Sequence, residues 1–159
     1  MELIPAFSDF ERGYTDGQNQ VVYTRLAADL DTPVSLMLKM TGAAKDAFVL
    51  ESVTGGEVRG RYSIIGMKPD LIWQCHGQAS RINRSARFDG EAFEPQVGAP
   101  LDNLRALIAE SKVDLPADLP AASAGLFGYL GYDMIRLVED LPNINPDPLG
   151  LPDAVMMRP

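Results

Sequence analysis

Four short apolar or β-branched runs, at 47–53, 60–67, 71–75 and 79–83, follow one another with only tight turns between them. The turns are Gly55-Gly56, Lys68-Pro69-Asp70 and His76-Gly77. Connections this short predict antiparallel pairing, because parallel strands need a crossover of roughly a dozen residues or more. The stretch therefore reads as an antiparallel meander. Another β-branched run, 21–26, reads as a strand, and residues 87–100 as a further hairpin or a surface loop.

Helical signals flank the strands. Asp31 or Thr32 can cap a helix with Pro33 in its first turn, Leu36, Met37 and Met40 on one face, and Gly42 as its stop. Behind Pro100, Leu101, Leu104, Leu107 and Ile108 recur at the helical period. Residues 1–19 read as an arm with one short helix, and 124–133 as a glycine-spaced strand passing into a short helix. The expected fold class is α+β, an antiparallel β-sheet meander with a few packed helices.

Length and composition place the chain among ordinary globular domains: 159 residues, 46% apolar and 23% charged. A net charge of −8 argues against a nucleic-acid surface, which needs clustered positive charge; Arg81, Arg84 and Arg87 form only a small local patch. Cys75 is the single cysteine, so no internal disulfide is possible, and a cytoplasmic setting is expected. No apolar run reaches membrane-spanning length, and no membrane partner is expected.

Catalytic chemistry is not assembled in this sequence. The lone His76 adjoins Cys75, and neighbouring strand residues point to opposite faces, so the two do not form a dyad. Gly125, Gly128 and Gly131 are spaced G-x-x-G-x-x-G, which is not a dinucleotide fingerprint and suits close backbone packing better. Glu139-Asp140 has no second carboxylate cluster at helical spacing to make it a metal site. Expected catalytic residues, metal ligands and cofactors are therefore none.

The binding chemistry gathers at one hairpin. The apolar run Phe48-Val49-Leu50 leads into a carboxylate and a hydroxyl, Glu51-Ser52, and the return strand carries Arg59 and Arg61. A carboxylate suits an ammonium, while guanidinium and hydroxyl suit a carboxylate, so a free amino acid is the simplest ligand. The plainer reading is a polar strand end whose arginines pair with Glu51 or Glu57.

These residues carry a resemblance. Phe48-Val49-Leu50-Glu51-Ser52, Gly55-Gly56-Glu57 and Gly60-Arg61-Tyr62-Ser63-Ile64-Ile65-Gly66 resemble the N-terminal region of anthranilate synthase component I. So do Asp31-Thr32-Pro33-Val34-Ser35, Pro100-Leu101-Asp102, Gly128-Tyr129-Leu130-Gly131-Tyr132-Asp133, Leu141-Pro142 and Leu151-Pro152-Asp153. The sister family, para-aminobenzoate synthase component I, shares part of the pattern. The resemblance implies an enzyme that converts chorismate and ammonia into anthranilate and pyruvate. Its ammonia comes from a glutamine amidotransferase subunit, and its Mg2+ and chorismate bind in a C-terminal domain. It also implies feedback inhibition by L-tryptophan, with Leu50, Glu51 and Ser52 lining the pocket and Arg59 or Arg61 supplying its basic group. Leucines are usual in the family where Phe48 and Val49 stand, a change that keeps the apolar wall.

On this reading residues 1–142 form the N-terminal regulatory domain, and 143–159 a proline-rich linker and the first residues toward a catalytic domain. The apolar run 154–157 has no evident strand to pair with, which suggests a piece of a longer chain. The competing reading is a free-standing amino-acid-binding module that ends near residue 159.

Overall fold

A computed structural model describes residues 2–42, 44–51, 62–142 and 146–159. It is an α+β structure of antiparallel strands and a few helices, in two compact units. The first comprises residues 1–67 and 112–125, the second residues 68–111 and 126–159.

In the first unit, α1 spans Phe7–Thr15 and α2 spans Pro33–Thr41. Thr32 begins α2 with a capping box. Its hydroxyl accepts from the Ser35 N–H at 3.1 Å, and its own N–H donates to the Ser35 hydroxyl at 2.9 Å. Two otherwise orphaned donors are thereby satisfied. Asp31 accepts hydrogen bonds from Lys39 and Ser35, and the Lys39 ammonium holds its carboxyl below the usual range. Gly42, at φ 56°, supplies the left-handed turn that ends the helix. Of the expected apolar face, Leu36 and Met37 are half-buried and Met40 is exposed.

Strands β1 (Phe48–Leu50) and β2 (Ile64–Gly66) pair antiparallel, with Phe48 opposite Gly66 and Leu50 opposite Ile64; α2 packs against both. The strand expected at 21–26 reduces to a single bridge between Ile4 and Tyr23. β-propensity needs a partner to act on, and Pro5, which has no N–H to donate, follows the one paired residue.

The second unit is built on a five-stranded antiparallel sheet, of strand order β5-β4-β3-β7-β6. Its strands are β3 (Leu71–His76), β4 (Ala79–Asn83), β5 (Glu94–Pro95), β6 (Phe127–Leu130) and β7 (Ala154–Arg158). The expected single meander is thus two separate sheets. A strand has two edges, and those of β3 are taken by β4 and β7; among the described residues β2 pairs with β1 alone. Residues 154–158 correct the other expectation. Instead of opening a run with nothing to pair, they form the strand between β3 and β6, with Trp73 opposite Met156 and Gly128 opposite Met156 on the far side. Local reading could not find a pairing between residues some eighty positions apart.

Helix α3 (Pro100–Glu110) lies on one face of this sheet. Leu104 and Leu107 join Leu71, Trp73, Cys75, Ile82, Ala154 and Met134 in a single core. Burying each such leucine stabilises the unit by about 1.5–3 kcal/mol. Trp73 is fully buried, and its indole N–H donates to Gln96 Oε1 at 2.9 Å, so its one polar group is not orphaned. The Cys75 thiol is buried, and burial pushes its pKa up; His76 is exposed. Four charged side chains tie the sheet to the end of α3. Arg158 forks onto Asp70 with two 2.9 Å bonds, and Arg84 forks onto Glu110 at 2.6 and 2.8 Å. Arg158 also lies 3.8 Å from Glu110, which joins the two pairs.

Candidate functional site

The packing of α2 on the β1–β2 pair gives the end of β1 a fixed place. Leu50, its last residue, is 51% exposed although it stands in a paired strand. Glu51 follows it directly and is exposed, with no described ion-pair partner. Tyr62, just before β2, is 50% exposed. An apolar side chain, a carboxylate and an aromatic ring thus stand where β1 ends and just before β2 begins. Ser52, Arg59 and Arg61, the other residues expected to bind an amino acid, lie outside the described residues, as does the Gly55-Gly56 turn.

Other sequence candidates take structural places. An added Cβ on Gly128 would fall 1.9 Å from the Val155 carbonyl oxygen, and one on Gly131 would fall 2.8 Å from that of Asp153. These two glycines serve close backbone packing, as their spacing suggests. Arg81 donates to Gln74 and stacks over Phe93 at 4.6 Å, Arg84 is paired with Glu110, and Arg87 donates to the Lys68 carbonyl. Among the described residues, no three His, Cys, Asp or Glu side chains converge as metal ligands would. No described helix is long and apolar enough to cross a membrane.

A second feature escaped sequence reading: an open cleft of about 750 Å³ in the first unit. Its walls come from residues 4–5, 18–23 and 112–116, segments far apart in the chain that share no periodic signal. Hydrogen bonds hold the walls together. Ile4 and Tyr23 exchange two backbone bonds of 2.8 Å, and the Asn19 amide donates to the Lys112 carbonyl at 3.1 Å. The Tyr23 hydroxyl donates to Asp118 at 2.8 Å, and Arg25 reaches the same carboxylate at 2.8 Å. The bond to Asp118 pushes the Tyr23 phenol above its ordinary pKa.

No protein-family model matches the chain. Individual proteins do. The chain is 75% identical over 154 residues to anthranilate synthase component 1 of Cereibacter sphaeroides, a match covering 97% of this chain and 31% of that protein. It is 41% identical over 134 residues to the Pseudomonas putida protein of the same name, covering 82% of the chain and 26% of that protein. The protein of that name from a Synechocystis species is 37% identical over 159 residues, covering 98% of the chain and 30% of its own length. The chain therefore spans about three tenths of the length of the curated relatives it matches.

Proposed function

Since this chain belongs to the anthranilate synthase component 1 family, as its N-terminal region, we propose that it is the feedback-regulatory part of an enzyme of tryptophan biosynthesis. The enzyme is a carbon-oxygen lyase that turns chorismate and glutamine-derived ammonia into anthranilate and pyruvate. A cytoplasmic glutamine amidotransferase subunit supplies the ammonia. Catalysis, with chorismate and Mg2+, belongs to a C-terminal part.

The end of β1 carries half of the L-tryptophan site. The supporting observation is Leu50, half-exposed on a paired strand and followed at once by an exposed carboxylate. An apolar contact and an ammonium acceptor thus stand side by side at the end of one paired strand. Glu51 would receive the ammonium of tryptophan, while Ser52 and Arg59 or Arg61 would donate to its carboxylate. The C-terminal part would complete the cover over the indole. Tryptophan then favours one arrangement of the regulatory and catalytic parts and shifts the population away from the active one.

The test is Ser52→Phe in a polypeptide of the relatives' full length that carries this sequence. Losing a hydrogen bond to a charged group costs about 1.5–3 kcal/mol, so the tryptophan concentration for half-inhibition should rise about tenfold or more. Chorismate turnover without tryptophan should stay near the parent value. Unchanged sensitivity to tryptophan would refute the assignment.

A further inference from the structure

We propose that the cleft between residues 4–5, 18–23 and 112–116 binds a small zwitterion with an aliphatic side chain, an amino acid of the leucine or valine class. None of its lining residues belongs to the β1–β2 pair, so the inference stands apart from the tryptophan reading.

Size and preorganisation come first. At about 750 Å³ the cleft falls within the range of small-molecule sites, and its walls are joined by the Ile4–Tyr23, Asn19–Lys112 and Tyr23–Asp118 bonds described above. A ligand therefore meets a formed surface and does not have to order one. The walls supply aliphatic patches from Ile4, Pro5, Val21, Val113 and Pro116 beside the amides of Gln18, Asn19 and Gln20, and the aromatic ring, Tyr23, has its hydroxyl already engaged. That lining suits a branched aliphatic side chain.

The charges decide the rest. Lys112 and Asp114 both line the cleft, and neither is ion-paired with a described residue. Two charges of opposite sign, two positions apart and without a described ion pair, are complementary to a carboxylate and an ammonium on one small molecule. A ligand with only one charge would leave one of them unanswered.

The experiment is a titration of the 15N-labelled chain with L-leucine, followed by amide chemical shifts. Two control ligands each lack one charge: 4-methylpentanoate has no ammonium, and 3-methylbutylamine has no carboxylate. We expect L-leucine to shift the amides of Gln18, Asn19, Gln20, Val21, Lys112 and Asp114, with a dissociation constant on the order of 0.1–1 mM. Lys112→Gln and Asp114→Asn should each weaken binding about tenfold, and each control ligand should bind at least about tenfold more weakly than leucine. Both substitutions neutralise side chains without described ion pairs, so shift dispersion should remain that of the parent chain. The proposal is overturned if no cleft amide moves up to ~20 mM leucine. It is equally overturned if the single-charge ligands match leucine, if both variants bind as the parent does, or if the shifts centre on Leu50 and Glu51.

Discussion

Replacing Gly128 with alanine should unseat the edge strand of the five-stranded sheet. Gly128 stands in β6 opposite Met156 of β7, and its φ is not in the left-handed region, so any demand for glycine here is spatial. An added Cβ would lie 1.9 Å from the Val155 carbonyl oxygen, 2.8 Å from its carbon and 3.0 Å from Met156 Cα. The first of these falls about 1.5 Å short of the 3.4 Å at which ordinary contact begins. All three atoms are backbone, so no side-chain rotation relieves the clash. Moving β6 away by more than about 1 Å stretches N–H···O bonds of roughly 2.9 Å beyond useful length. Only four residue pairs join β6 to β7, and losing two or three of their bonds at about 1 kcal/mol each, with some overpacking strain, gives about 3–4 kcal/mol. That is a large share of the roughly 5–15 kcal/mol that holds a domain folded. Trp73, the chain's only tryptophan and fully buried in this sheet, reports the loss through its fluorescence in urea. Gly90→Ala is the control, because nothing lies within 4 Å of its added Cβ. It should stay within about 0.5 kcal/mol of the parent. If Gly128→Ala unfolds at the same urea concentration as Gly90→Ala, the close approach of the two strands is refuted.

Three other predictions concern single groups. Thr32→Ala removes one half of the capping box and should destabilise the first unit by about 1 kcal/mol, while Thr32→Ser should be nearly neutral, as circular dichroism on thermal unfolding can check. Glu110 is held below its ordinary pKa first by its hydrogen bonds to Arg84, so its contribution is present above its unfolded pKa of about 4.5 and fades as pH falls through the lower folded value. The parent should therefore lose more stability than Glu110→Gln in that acid window, by less than about 1 kcal/mol because the pair is partly exposed; parallel pH profiles of the two would refute this. Burial raises the Cys75 pKa, so a disulfide reagent should label it only as fast as the second unit opens, and prompt labelling at pH 8 would contradict its place in the core.

Local chemistry was readable wherever neighbours in sequence are neighbours in space. Thr32, Pro33 and Gly42 bound α2 as their residue types suggest, and Pro100 with Leu104 and Leu107 places α3 on the core. The tight turn at Gly77 joins β3 to β4 as expected. Long-range pairing was not readable. The run 154–157 carries the same β-branched and apolar signal whether or not a partner exists. Its partners, β3 and β6, are set by edges left open after the local hairpin has formed. The same limit hid the cleft, whose Lys112 and Asp114 face a wall laid down about a hundred residues earlier. For the proposed amino-acid site, sequence reading puts Leu50 and Glu51 at a strand end, and the structure has Leu50 last in β1 with Glu51 directly after it. Leu50, left half-exposed at the end of a paired strand, has apolar area that still gains from burial. A strand end that serves only as a turn would keep Leu50 equally exposed with and without tryptophan in the longer enzyme. Protection of Leu50 by tryptophan, followed by hydrogen exchange at its amide, therefore separates a binding edge from a merely polar one.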